Sequence, residues 1–318
     1  MKLPTVSALS LCFLFAGLLP AADQQLVGML MPDAKVVAGI NVEQAKNSPF
    51  GQFLLSRIPN EDHGLSHLTA ATGFDPRRDL SEILMGTIGQ PGEKGLVLAK
   101  GNFDAQRILA AARAAGHTIE TYKGVELLTG KEDSMVHAVA FLNNSIAVAG
   151  DADNVKAAID HRNSSRSINP ALAARIDQLS ASEDAWSVSM VPLAALTNQN
   201  VPDTKLNGML NSDIVKTIQQ TSGGIKFGAI IQLSAEAVTR SAQDATALAD
   251  VVHFLANMVQ MNTPQAGQAA VTALVQSLNV KADGNTVKVG LAIPEDQFEK
   301  VMRSSEHKKT SLHIGSEL

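Results

Sequence analysis

The feature that most constrains the fold is an order of elements that occurs twice in the chain. Residues 135–160 contain a strand pattern, an Asn-Asn turn, a second strand pattern and a helix that begins at Asp151. Residues 277–302 repeat this order around an Asp-Gly-Asn turn. In the second copy apolar and polar residues alternate from Leu278 to Ile293, which is typical of an antiparallel sheet with one buried and one solvated face. The sequence therefore predicts hairpins that are covered by helices on one side.

The two halves of the chain also open in the same way. Each begins with an apolar strand pattern that follows an acid, at 33–42 and at 184–191. Each also contains a later strand, at 95–101 and at 225–233, that leads into a helix. We expect the helix of the second half over Ala235–Met261.

These patterns predict an α+β protein of two similar lobes, each an antiparallel sheet with helices packed on one face. The expected divisions are an N-terminal lobe at 23–163, a polar linker with a short helix at 164–183, a C-terminal lobe at 184–302 and a polar, disordered tail at 303–318. The linker is assigned because polar residues surround its one short helix, around Ala171–Leu179.

Residues 1–22 have the layout of a secretory signal peptide. Lys2 is followed by an apolar run at 9–19 and then by Ala21 and Ala22, which offer a cleavage site after either residue. A membrane anchor is the alternative, but the run is shorter than the roughly 20 residues that a helical span requires. We therefore predict an exported protein, periplasmic or secreted, with no membrane span after signal cleavage.

Cys12 is the only cysteine, and it lies inside this segment. A lipoprotein signal would use such a cysteine, but Leu11 stands where that processing requires a small residue. A mature chain without cysteine has no disulfide and depends on its apolar core, which suits a bacterial periplasmic or secreted protein.

Composition argues against two classes of partner. The net charge is −5 and basic residues are not clustered, whereas nucleic acids and anionic lipids attract clustered Lys and Arg. The chain has one Trp, one Tyr and 10 Phe, so stacking sites for sugars or bases are disfavoured.

Several short motifs give a resemblance that covers roughly residues 30–170. They are Pro32-Asp33-Ala34, Ser48-Pro49-Phe50-Gly51, Thr72-Gly73-Phe74-Asp75, Tyr122-Lys123-Gly124-Val125 and the segment from Asp151 to Asp160. In these motifs the chain resembles uncharacterised exported bacterial proteins that carry a domain of unknown function. The resemblance implies export and a fold, but no activity, cofactor or catalytic residue.

The motifs of several enzyme classes are missing or incomplete. Gly-x-Ser-x-Gly does not occur, nor does a phosphate-binding Gly-x-x-x-x-Gly-Lys-Ser/Thr. Gly223 and Gly224 precede a strand pattern, so we assign them to a turn. We therefore predict no catalytic residue and no cofactor.

The one weak candidate for a metal site is the pair His63 and His67. Their spacing puts two imidazoles on one face of a helix, but Gly64 replaces the glutamate of His-Glu-x-x-His. A solvated surface pair is the favoured interpretation.

The long helix predicted at 235–261 carries one apolar stripe. It comprises Val238, Ala242, Ala245, Leu248, Val252, Leu255 and Val259. Charges of both signs and the absence of a basic face favour a helix that packs on a core over one that lies on a membrane.

Together these observations favour an exported soluble protein with a non-catalytic binding or structural role in the envelope. We expect it to bind a protein or a small ligand in a groove between the lobes or on an exposed sheet face. The alternative is a hydrolase with dispersed residues or a metal at His63 and His67. A chaperone-like surface protein is the third possibility.

Overall fold

The structure, a computed structural model, describes residues 22–56, 69–89, 95–132, 135–163, 168–196, 213–261 and 265–298. Three predictions lie wholly or almost wholly outside these ranges: the signal peptide at 1–22, the pair His63 and His67, and the tail at 303–318.

Twelve strands of the described part form one sheet in which every neighbouring pair is antiparallel. In chain order they are β1 Val36–Asn41, β2 Leu80–Thr87, β3 Leu96–Gly101, β4 Thr118–Tyr122, β5 Val125–Glu132, β6 Met135–Asn143, β7 Ile146–Asp151, β8 Ala185–Ser189, β9 Ile218–Lys226, β10 Ile230–Thr239, β11 Asn279–Asp283 and β12 Thr286–Pro294. Their order across the sheet is β11-β12-β10-β9-β8-β1-β2-β3-β7-β6-β5-β4.

The helices of the same ranges connect these strands. They are α1 Gln24–Gly28, α2 Val42–Asn47, α3 Pro49–Ser56, α4 Pro76–Asp79, α5 Ala105–Ala114, α6 Ala152–His161, α7 Pro170–Ser182, α8 Leu193–Leu196, α9 Ala242–Met261 and α10 Gln265–Ser277. A 3-10 turn lies at Val215–Thr217. Six of the helices begin at an Asp or Asn whose side chain accepts a backbone N–H of the first turn, which fixes where they start.

The opening strands of the two halves pair with each other at the centre of the sheet. Val36 of β1 lies opposite Ser189 of β8, and Ala38 lies opposite Ser187. Outward from this pair, β2, β3, β7 and β6 on one side occupy the positions that β9, β10, β12 and β11 occupy on the other. The predicted mixture of helices and antiparallel strands is therefore confirmed, but one continuous sheet runs through both predicted lobes, and their separation by a linker is not confirmed.

Helices cover both faces of the sheet, so the prediction of a single covered face is wrong. Leu98 and Val148 pack into one apolar cluster together with Val155 of α6 and Leu172 of α7. Their neighbours along the strands, Ala99 and Ala147, pack with Ile108 of α5 in a different cluster. Because adjacent residues of a strand point to opposite faces, the two clusters lie on opposite sides.

The segment predicted to be a linker contributes a core helix. Asn169 caps α7, and Pro170 occupies its first turn, where a missing N–H costs nothing. Leu172 and Ile176 have no exposed surface, and Leu179 is buried one turn further on. Each such side chain contributes about 1.5–3 kcal/mol on burial. The polar residues that suggested a linker are interspersed with this apolar face.

Two further boundaries differ from the predictions. Residues 235–239 belong to β10, so Val238 is a strand residue and α9 begins only at Ala242. The strand-like alternation of period two continues through this region and outweighs helix propensity. The helix starts after Ser241, whose Oγ accepts the backbone N–H of Asp244 (3.1 Å). Gly223 and Gly224 lie within β9 and not in a turn. A Cβ on Gly224 would stand 2.5 Å from Cγ of Glu183, so close packing explains this glycine.

Candidate functional site

An apolar groove lies between α9 and α10. The two helices contact each other and pack on β11 and β12. The groove has a volume of about 300 Å³, and its lining is almost entirely apolar: Val252, Leu255, Ala256, Val259, Val271, Leu274, Val275, Leu278 and Leu291. We call this feature the hairpin groove.

Large apolar side chains of α9 also remain exposed, and of these Val259 lines the hairpin groove. Phe254 is 66% exposed and Met261 is 86% exposed, and Met258 and Val259 are exposed as well. At its other end α9 buries Ala245, Leu248 and Ala249 in a cluster with Val287. The stripe predicted to pack on a core therefore does so only in the first half of α9. A cluster of exposed large apolar residues marks an interaction surface more often than single exposed residues do.

A polar recess lies on the other side of the sheet, between α7 and the strands β8, β9 and β10. It has a volume of about 220 Å³. The guanidinium of Arg175 of α7 makes three contacts there. Nε donates to Ser222 Oγ (2.9 Å) and Nη1 donates to Gln178 Oε1 (2.7 Å). Nη2 forms an ion pair with Glu236. Because the guanidinium is engaged on all three nitrogens, it joins α7 to the sheet and is not available to a ligand.

A small charged cluster lies where α1 meets the sheet. The backbone N–H of Asp23 donates to Oε1 of Glu82 (3.0 Å), and Lys100 Nζ lies 2.5 Å from Oδ2 of Asp23. Burial raises the pKa of Glu82. Burial also acts to raise the pKa of Asp23, but the hydrogen bond from Lys100 and the backbone N–H of Gln25 lower it overall. We call this set the Glu82 cluster.

A second polar cluster is exposed at the hairpin of β4 and β5. Tyr122 donates its hydroxyl to Asp160 Oδ2 (3.0 Å), and Lys123 Nζ lies 2.6 Å from Oδ1 of the same carboxylate. The hydrogen bond from Lys123 lowers the pKa of Asp160. These contacts hold the hairpin against α6, but they do not pair a nucleophile with a general base.

The weak metal candidates, His63 and His67, lie outside the residues that the structure describes. Among those it does describe, no group of three or more His, Cys, Asp or Glu side chains could hold a metal ion. Within the same ranges, no helix is long and apolar enough to cross a membrane.

Sequence reasoning did not find the hairpin groove. It predicted the stripe on α9 but no partner stripe on α10, where Val271, Leu274, Val275 and Leu278 recur at helical spacing. That spacing was a usable signal. What it could not provide was the placement of two apolar stripes side by side with a gap between them.

No protein-family model matches the chain, and no curated protein matches it by sequence. Solved structures do match in fold. Crystal form IV of TP0453 superimposes with a TM-score of 0.54 at 10% identity, over 88% of this chain and 97% of that chain. Crystal form III of TP0453 gives 0.53 at 9% identity, over 87% and 97%. At such low identity the match shows a shared fold and nothing about function.

Proposed function

We propose that the protein is an exported, non-catalytic binding protein that holds an amphipathic helix of another envelope protein in the hairpin groove. The observation that carries this proposal is the groove itself, whose lining is almost entirely apolar and includes the 51% exposed side chain of Val259. Export is supported by the signal-like segment at 1–22 and by the resemblance to exported bacterial proteins.

The energetics favour a partner with an apolar face. Val259 of the lining is 51% exposed, and covering the rest of its side chain contributes about 1 kcal/mol. A small polar ligand would gain nothing from this lining, whereas a helix can insert apolar side chains at successive turns between α9 and α10.

Site-specific photocrosslinking in cells that make the protein tests this proposal. A photoreactive phenylalanine analogue replaces Val259 of the groove lining in the full chain, and the matched control carries it at Ala247, which is exposed on the same helix but outside the lining. We expect one discrete protein adduct from position 259 and none from position 247. The substitution Leu274→Glu, which places a charge in the groove, should abolish the adduct.

Three outcomes would count against the proposal. Equal adducts at both positions would indicate unspecific contact. Many different adducts at 259 would indicate a chaperone-like surface, and adducts to lipid alone would indicate that the groove contacts a membrane and not a protein. The rival hydrolase hypothesis predicts stoichiometric zinc in the purified protein and its loss on His63→Ala.

A further inference from the structure

The Glu82 cluster brings the backbone nitrogen of residue 23 directly to a carboxylate. That nitrogen lies 3.0 Å from Oε1 of Glu82, a side chain of β2. Lys100 lies opposite Glu82 on β3 and contacts the side chain of Asp23. Asp23 is also the cap of α1, since its Oδ1 accepts the backbone N–H of Gln25 (2.8 Å). Residue 23 is therefore held by its backbone and by its side chain.

The charges of the Glu82 cluster do not balance while residue 23 is inside a longer chain. Asp23 and Glu82 contribute two negative charges and Lys100 one positive charge. Within the described residues the hydrogen bond to the carboxylate of Glu82 comes from the neutral backbone N–H of Asp23, while Lys100, which also attracts this carboxylate, donates its own hydrogen bond to Asp23. Burial, and to a smaller extent the negative charge of Asp23, raises the pKa of Glu82 by more than the N–H of Asp23 and the charge of Lys100 lower it, so the carboxylate is only partly compensated. One more positive charge at the nitrogen of residue 23 would make the cluster neutral.

We propose that signal peptidase hydrolyses the Ala22–Asp23 bond and that the new α-ammonium group of Asp23 forms an ion pair with Glu82. Water adds across the bond, so Ala22 leaves with a carboxylate, and the amino group of Asp23 takes up a proton. The neutral N–H contact becomes a charge-assisted hydrogen bond, which is shorter and stronger. This inference rests on the export proposed above and goes beyond it by naming the bond and the receptor of the new terminus.

The geometry distinguishes this bond from its neighbour, Ala21–Ala22. Cleavage there would place the ammonium on Ala22, which is 6% exposed and packs in the apolar core. A charge in such surroundings is costly. An ammonium at the start of α1 opposes the helix dipole, but the carboxylate of Asp23 at the same position offsets this small effect.

N-terminal sequencing and intact mass of the protein from an exporting bacterial host give the first test. We expect export and a chain that begins at Asp23. A chain that stays in the cytoplasm with residues 1–22 attached would refute the export proposal. A chain that is exported but begins at any other residue would refute the present inference and leave export standing.

The second test measures the pKa of the α-amino group by NMR titration, in a chain released from a fusion so that it begins at Asp23. Pairing with Glu82 should raise this pKa by about one unit above its ordinary value of about 7.7–8.0, a tenfold gain in proton affinity. Glu82→Gln should remove the shift, and the control Asp33→Asn, at an exposed carboxylate, should keep it.

A chain that begins at Ala22 provides a check that does not depend on the folding of Glu82→Gln. It keeps the neutral N–H contact of Asp23 but moves the ammonium one residue away, so its α-amino pKa should not rise. An ordinary pKa in the chain that begins at Asp23, or an equal rise in both chains, would overturn the ion pair.

Discussion

The helices α7 and α9 carry the same kind of apolar stripe, but they differ in how much of that stripe is buried. In α7 Leu172 and Ile176 are completely buried, whereas the stripe of α9 buries Leu248 but leaves Val259 51% exposed. An α-helix of 20 residues is about 30 Å long, while the five-residue edge strand β11 beside α9 spans about 17 Å. A stripe therefore shows which face of a helix packs, but the extent of the surface beneath it decides how much of the stripe is covered.

The largest expected effect compares one leucine from each helix pair. Leu172→Ala should lower the free energy of unfolding by about 2–5 kcal/mol, because it leaves a cavity in a fully buried site. Leu274→Ala, in the half-buried lining of the hairpin groove, should cost about 1 kcal/mol or less. Chemical denaturation of both variants measures the difference. Equal losses would show that the groove is covered in solution and would break the comparison.

The next effect concerns the polar contact that holds α7 in place. Arg175→Met should lower the free energy of unfolding by about 1–3 kcal/mol, a range between surface and buried ion pairs. The lower part of the range is expected because the side chains of Arg175 and Glu236 are 21% and 27% exposed. A double-mutant cycle with Glu236→Gln isolates the pair. A coupling energy of zero would mean that packing alone holds α7.

A smaller effect on stability is expected at the exposed end of α9. Phe254→Ser should change the free energy of unfolding by no more than about 0.5 kcal/mol, since little contact is lost. It should nevertheless lower the fluorescence of a bound apolar dye. Ala247→Ser on the same helix is the control and should leave dye binding unchanged. A large loss of stability in Phe254→Ser would contradict the exposure of this ring.

The smallest effect depends on pH. It concerns Asp23 and Lys100, where α1 packs on the same face of the sheet as α7. The pKa of Asp23 is lowered in the folded protein, so its ionised form stabilises the fold above the unfolded value of about 3.9. That contribution is lost as the pH falls through the folded pKa. Lys100→Met should therefore cost only about 0.3 kcal/mol at pH 7, because the Lys100 side chain is 44% exposed, and progressively less below about pH 4. If the loss of stability in Lys100→Met does not change with pH, it arises from packing of the Lys100 side chain and not from the ion pair with Asp23.

Local patterns predicted most of the elements correctly, including the hairpins around Asn143-Asn144 and Asp283-Gly284 and the cap at Asp151. The alternation in the second copy is confirmed, since Val280 lies opposite Val289 and Lys281 opposite Lys288. These features depend on turn residues and on a period of two, which act over short distances.

The arrangement of the halves could not be predicted in the same way. Pairing of β1 with β8 depends on contacts between residues far apart in the sequence, such as Val36 and Ser189. Nothing in the sequence of either strand identifies the strand with which it pairs. The groove was missed for a related reason, because it arises from the relative placement of α9 and α10. The candidate pair His63 and His67 lies outside the described residues, so that prediction stays a prediction.

The central pairing of β1 with β8 has a consequence for how the protein acquires its shape. The first seven strands are complete in the chain before β8 is reached, yet until β8 arrives β1 presents an unpaired edge. Contacts of such high sequence separation form slowly, because a long loop must close first. The late step of folding should therefore be the pairing of β1 with β8, which joins the two halves. Before that step, a partly folded chain would be most prone to aggregate through the unpaired edge of β1.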